Sequence, residues 1–230
     1  MKLPPKNPLK VPRTYFDTPP TPEPAMKQTL LLSLISASLS FLTVSAANAA
    51  ATVGQPAPTF TLSDTNGKAV NLADYKGKTV VLEWHNPECP FVKKHYDSAN
   101  MQGLQSKYTK DGVVWLAVSS TEPGHQDYKK PDVMNGILKS SKAFPTAYLM
   151  DDNGATGKSY GAKTTPHMYI INAQGTLVYA GGIDDKRSSN VADVKTAKNF
   201  VAAALDEIKA GKPVSVATST PYGCSVKYKS

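Results

Sequence analysis

The sequence predicts an α/β protein: a mixed central sheet with helices on both faces, an N-terminal β-hairpin and an extended C-terminal tail. Three observations carry this. "TVVLEWHN" (79–86) and "GVVWLAVSS" (112–120) are compact, β-branched apolar runs bounded by turn residues, the pattern of strands buried on both faces. Between them lies a stretch with helical spacing, so the pair forms a parallel βαβ unit. "HMYIINAQGTLVYAGGI" (167–183) then reads as a hairpin turning at Ala173-Gln174-Gly175, which adds antiparallel strands.

Before the first strand the chain divides by composition. Residues 1–25 are rich in proline and lysine with no apolar period, and read as a disordered or untranslated extension. Residues 26–49 have a basic start at Lys27, an apolar stretch from Leu30 to Val44 and an Ala47-Asn48-Ala49 end. This is the layout of a secretory signal peptide cleaved after Ala49. The apolar stretch is short of the ~20 residues that span a bilayer, so no stable membrane anchor is expected after cleavage. Residues 50–212 are expected to form the folded domain and 213–230 the tail.

Within the domain, Asn66-Gly67 marks a hairpin turn between two short strands. From Pro90 to about Tyr108, Val92, Tyr96, Ala99 and Gly103 recur at helical spacing, continued by Leu104 and Tyr108, and predict one helix. The stretch 124–142 is polar, with a helix turning Val133, Ile137 and Leu138 inward. "TAYLMDDNG" (146–154) is a strand ending in a turn. Residues 190–212 form an amphipathic helix with Val194, Ala197, Val201, Leu205 and Ile208 on one face and Gly211 as its stop.

The formal charge is +8, and loss of residues 1–49 takes away five basic and two acidic side chains, leaving +5. The basic residues are scattered, without the aromatic-interleaved stripe that tracks nucleic acid, so no nucleic-acid partner is expected. Two cysteines, Cys89 and Cys224, permit one intramolecular bond, too few for a disulfide scaffold. An exported protein would meet conditions in which such a bond persists.

Cys89 precedes Pro90, a residue favoured at the first position of a helix. Cys89 is therefore the expected N-cap, its sulfur at the positive end of the helix dipole, with Lys93 and Lys94 adding charge. These features favour thiolate, below the free value of about 8.5. A cysteine that merely ties down the tail is the bland alternative. His85 and His167 are expected near the sulfur, whereas His95 and His125 read as surface residues and Trp84 as core.

"VVLEWHNPECPFV" and "TTPHMYIINAQGTLVYAGGI", with "VGQPAP" (53–58) upstream, resemble a thioredoxin-fold redoxin of the alkyl hydroperoxide reductase/thiol-specific antioxidant kind. The resemblance runs from about Val53 to Lys212. It implies that Cys89 is the nucleophile, that Thr165 and Pro166 form a cis-proline loop beside it, and that Glu83 is a buried acid exchanging protons with the site. Pairing of Glu83 with Lys78 or Lys94 is the alternative. The sequence departs from the pattern in two ways. Val92 stands where a thioredoxin has its second cysteine, and Asn86 stands where a peroxiredoxin has threonine. Asn86 is thus expected to stabilise charge, and Cys224 to resolve the oxidised Cys89, as in redoxins with a C-terminal arm. A permanent Cys89–Cys224 link and an interchain bond through Cys224 remain open.

The resulting expectation is an exported thiol-dependent oxidoreductase. It would act on a peroxide or disulfide, draw on a thiol electron donor and need no organic cofactor, with Cys89, Cys224, Glu83 and Asn86 catalytic. Thr165, Pro166, His85 and His167 would contact substrate. The rivals are a module binding copper or a thiol-bearing partner through Cys89, His85 and His167, and an inert domain with a fixed disulfide.

Overall fold

A computed structural model describes residues 50–229, so the expectations for 1–25 and 26–49 lie outside the described residues. The chain runs β1 (Thr61–Asp64), β2 (Ala69–Asn71), β3 (Val80–Trp84), α1 (Pro90–Asp97), α2 (Asn100–Lys110), β4 (Val114–Ser119), α3 (Pro131–Ser140), β5 (Ala147–Met150), α4 (Ala155–Tyr160), β6 (Thr164–Thr165), β7 (His167–Ile171), β8 (Leu177–Gly181), α5 (Phe200–Lys209) and β9 (Cys224–Ser225). Seven strands form one sheet in the order β2-β1-β5-β4-β3-β7-β8, while β6 and β9 pair separately. β3 is parallel to β4 and antiparallel to β7, as a βαβ unit with an added hairpin requires.

The pleat of β3 sorts its side chains between two layers. Val80, Leu82 and Trp84 meet Phe60, Leu149, Tyr160 and Tyr169 on the face covered by the N-terminal segment and α4. Val81 turns to the other face, among Met101, Leu104 and Tyr108 of α2, Trp115, and Val201 and Leu205 of α5. All five β3 side chains are buried, which is why the strand reads as an apolar run broken only by Glu83.

Four expectations need correction. The helix expected from 90 to 108 is two helices. Ala99 adopts a left-handed backbone, φ 58°, and Gln102 Nε2 donates to the Tyr96 carbonyl at the break, 2.9 Å away. The helix expected over 190–212 is a 3-10 turn, Val191–Thr196, followed by α5. Residues 198–200 pair with residues 183–185, which ends the 3-10 turn, and Asn199 caps α5 by accepting from Ala202 N at 2.8 Å. On α3, Met134 is the buried residue and Val133 points outward, 48% exposed. His95 is fully buried.

The tail is held along its length. Ser219 N donates to Ala180 O, Glu122 N to Lys227 O and Val226 N to Lys163 O, so the tail crosses from the β8 edge to the β4 end of the sheet. A side chain at Gly181 would strike Ser219, and one at Gly157 would strike Tyr228 and Ser120. Those glycines let the tail lie flat on the domain.

Candidate active site

Cys89 caps α1 with extended backbone (φ −72°, ψ 122°), and Pro90 opens the helix. The cap follows β3 at its C-terminal end, the edge where α/β folds present reacting groups. Its side chain is 2% exposed. Two partners surround the sulfur. Cys89 Sγ donates to the carbonyl of Thr165 at 3.0 Å, and Cys224 Sγ lies 2.7 Å away. The Thr165–Pro166 peptide bond is cis. β6 and β9 pair antiparallel with Thr165 opposite Cys224, so one short ladder brings the proline loop and the tail cysteine to the same sulfur.

The geometry thus joins Cys89, Cys224, Thr165 and Pro166, residues 135 apart in sequence for the two sulfurs. Burial and the neighbouring Cys89 push the Cys224 thiol up to about 12, so protonated Cys224 is the favoured form in this closed arrangement. Val92, in the place of a second motif cysteine, is buried in α1.

Glu83 is fully buried and has no cationic partner among the described residues. Lys94, one of the proposed partners, pairs instead with Asp184 at 3.5 Å. Three neutral donors hold the Glu83 carboxyl: Tyr96 OH at 2.7 Å, Trp115 Nε1 at 2.8 Å and Gln105 Nε2 at 3.3 Å. Burial raises the carboxyl from 4.5 to about 7 against the opposing pull of these hydrogen bonds. A carboxyl titrating near neutrality is suited to proton exchange.

The remaining expected residues have polar partners of their own. Asn86 Nδ2 donates to Asp127 Oδ2 at 2.9 Å, and its carbonyl oxygen accepts from Glu88 N at 2.9 Å, so its amide builds the turn ahead of Cys89. His85 Nδ1 meets Tyr148 OH at 2.9 Å, and His167 Nδ1 meets Tyr169 OH at 3.0 Å. Burial lowers His85 to about 3 and His167 to about 4, so both rings are neutral at pH 7. Among the described residues no three His, Cys, Asp or Glu side chains are grouped to hold a metal. Lys93 pairs with Glu88 at 3.3 Å. Both lysines expected beside the sulfur are engaged elsewhere.

Sequence reasoning missed Asp127, Gly223 and the buried group formed by Lys94, His95, Asp184 and Tyr222. Only the glycine next to Cys224 in "TPYGC" offered a signal. Gly223 has φ +139°, and a Cβ there would collide with the Thr165 carbonyl.

The profile of the AhpC/TSA family matches residues 53–180. The thiol-disulfide oxidoreductase ResA of Bacillus thuringiensis subsp. konkukian is 29% identical over 126 residues, 55% of this chain and 67% of that protein. A Coxiella burnetii protein assigned as peroxiredoxin bcp is 30% identical over 131 residues, 54% of this chain and 84% of that protein. An uncharacterized conserved protein from Geobacillus kaustophilus, known from its crystal structure, superposes with a TM-score of 0.66 at 29% identity, covering 77% of this chain and 93% of that one. With more than half of the chain matched and a thioredoxin-like architecture around Cys89, the protein belongs to the AhpC/TSA family, as a thioredoxin-fold redoxin and thiol-dependent oxidoreductase.

Proposed function

We propose that the protein is an exported thiol–disulfide oxidoreductase in which Cys89 attacks and Cys224 resolves. The approach of the two sulfurs to 2.7 Å supports this reading above all else. In the reducing direction, Cys89 thiolate attacks one sulfur of a partner disulfide, forms a mixed disulfide and releases the first partner thiolate. Cys224, after losing its proton, attacks Cys89 Sγ and releases the second thiolate. The partner gains two electrons and the protein is left with a Cys89–Cys224 disulfide. An external dithiol then reduces that bond. Glu83 supplies a neutral-pH proton exchanger on the strand that leads into the Cys89 turn.

Peroxide reduction is the second reading, favoured by family membership. There Cys89 thiolate would take one peroxide oxygen as a sulfenic acid and release water or an alcohol. Cys224 would then condense with the sulfenic acid and expel one water. Commitment of the Asn86 amide to Asp127 and Glu88 favours disulfide exchange over this route.

Stopped-flow reaction of the reduced protein with a model disulfide and with peroxide tests both. Cys89→Ser should abolish the fast phase, whereas Cys224→Ser should keep it and accumulate mixed disulfides visible by mass. An unchanged fast phase in Cys89→Ser would sink the assignment. Export rests on the layout of residues 26–49, and N-terminal sequencing of secreted protein should begin at Ala50.

A further inference from the structure

Two residues before Cys224, Tyr222 joins a buried polar cluster against the second turn of α1. Its hydroxyl donates to Asp184 Oδ1 at 2.5 Å. Lys94 Nζ donates to the same hydroxyl at 3.3 Å and to the Lys186 carbonyl at 2.7 Å, and pairs with Asp184 Oδ2 at 3.5 Å. The Asn100 amide faces His95 Nδ1 at 2.9 Å, which leaves Nε2 as the protonated nitrogen facing Tyr222 OH at 3.2 Å. The phenol oxygen thus gives one hydrogen bond and receives two. Lys94 and His95 are fully buried, and Asp184 and Tyr222 nearly so. The Tyr222 ring stands edge-on to Phe91, centroids 6.0 Å apart, and presses on Gly182, where a Cβ would meet ring carbons at 3.4 Å.

A buried lysine–aspartate pair is a costly feature that a domain retains only when its remaining donors and acceptors are satisfied. Here the group that completes it comes from the tail. Lys94 and His95 are four and five residues after Pro90, the first residue of α1, on the helix itself. The same helix therefore carries the nucleophile at its first turn and the socket for the tail at its second. Asp184 and Tyr222 both lie beyond residues 53–180, the part that the family profile matches.

We propose that Tyr222 is the positioning residue of the Cys89–Cys224 couple: seated in the Lys94–His95–Asp184 socket, it holds Cys224 against Cys89 when the two thiols are reduced. This rests on Cys224 being the resolving thiol. The latch raises the effective concentration of one sulfur at the other and keeps foreign thiols from Cys89 while it is closed. Opening it needs the Tyr222 hydroxyl to leave an otherwise buried charge pair.

The test is the glutathione redox equilibrium of the whole protein with and without Tyr222→Phe. The ring contacts with Phe91 and Gly182 survive in the variant, but the hydroxyl is gone. The equilibrium constant for Cys89–Cys224 disulfide formation should fall at least tenfold, about 30 mV for a two-electron couple. In a Cys224→Ser background, Tyr222→Phe should speed alkylation of Cys89 at least fivefold. A merely structural tyrosine would lower stability in urea and leave both readouts unchanged, which would overturn the latch. Wild-type hydrogen exchange provides a readout free of variants. In the reduced protein the amides of Ser219 and Val226 should stay protected, and free-chain exchange there would also overturn it. If the wild-type pair never forms a disulfide, the resolving role of Cys224 falls first and the latch with it. A wild-type disulfide with an unmoved Tyr222→Phe equilibrium overturns the latch alone.

Discussion

Thr165 serves both sulfurs: its carbonyl accepts from Cys89 Sγ at 3.0 Å, and its backbone stands opposite Cys224 in the β6–β9 ladder. The tail can approach this closely because residue 223 has no side chain and a φ of +139°. Gly223→Ala should therefore push β9 off the loop. We expect the release of a mixed disulfide on Cys89 to slow at least tenfold, with the first attack unchanged or faster. Quenched-flow mass spectrometry of the mixed disulfide measures both steps.

Glu83 is expected to leave its mark on pH dependence twice. Its carboxyl is raised from 4.5 to about 7, so the folded protein holds this proton more tightly than the unfolded chain does. Stability from the protonated form is present below pH 4.5 and is lost as pH rises toward 7, by about 3 kcal/mol in all. Glu83→Gln should flatten that loss in urea titrations between pH 4.5 and 7. The same variant should slow thiol–disulfide exchange ten- to a hundredfold and remove an inflection near pH 7 from the rate profile.

Three buried histidines oppose this trend at lower pH. Burial depresses His85 and His95 to about 3 and His167 to about 4, with Lys94 contributing at His95 and Lys163 at His167. Each favours the neutral ring in the folded state, so its contribution is full above 6.5 and drains away as pH falls toward 3–4. Acid unfolding should accordingly take up close to three protons beyond those of the carboxylates. His167→Gln should lower that proton uptake by about one, measured from the pH dependence of the urea midpoint.

Asn86 offers a way to separate turn-building from charge stabilisation. Its amide is bound to Asp127 and Glu88 N, and loss of those hydrogen bonds costs about 1–3 kcal/mol where they are buried. Asn86→Ala should slow reaction with peroxide and with a model disulfide by similar factors. A selective loss of the peroxide reaction would return Asn86 to the role of a donor to the oxidant.

Much of the sheet was legible because its central strands are buried on both faces, and such strands read as compact apolar runs in 79–86 and 112–120. Pro90 made the Cys89 cap legible, and Asn66-Gly67 the first hairpin. The two helix breaks were not: Ala99 turns left-handed where Gln102 bonds the Tyr96 carbonyl, and Lys198 and Asn199 pair with Asp185 and Asp184, none of which periodicity registers. Lys94 and His95 were hidden for a related reason. Charged and imidazole side chains usually lie at the surface, and only the fold supplies the aspartate and tyrosine that let these two be buried. The tail has no period at all. Its order comes from glycines at 157, 181 and 223 on one side or the other of each close approach.

The 135-residue separation of Cys89 and Cys224 has a calorimetric consequence. Closing so large a ring removes chain entropy from the unfolded ensemble worth about 5 kcal/mol. For a domain of this size that corresponds to a melting temperature higher by on the order of 10–20 °C in the oxidised protein. Differential scanning calorimetry would then resolve two endotherms in a partly oxidised sample. Their areas would report the redox poise of the compartment from which the protein was taken.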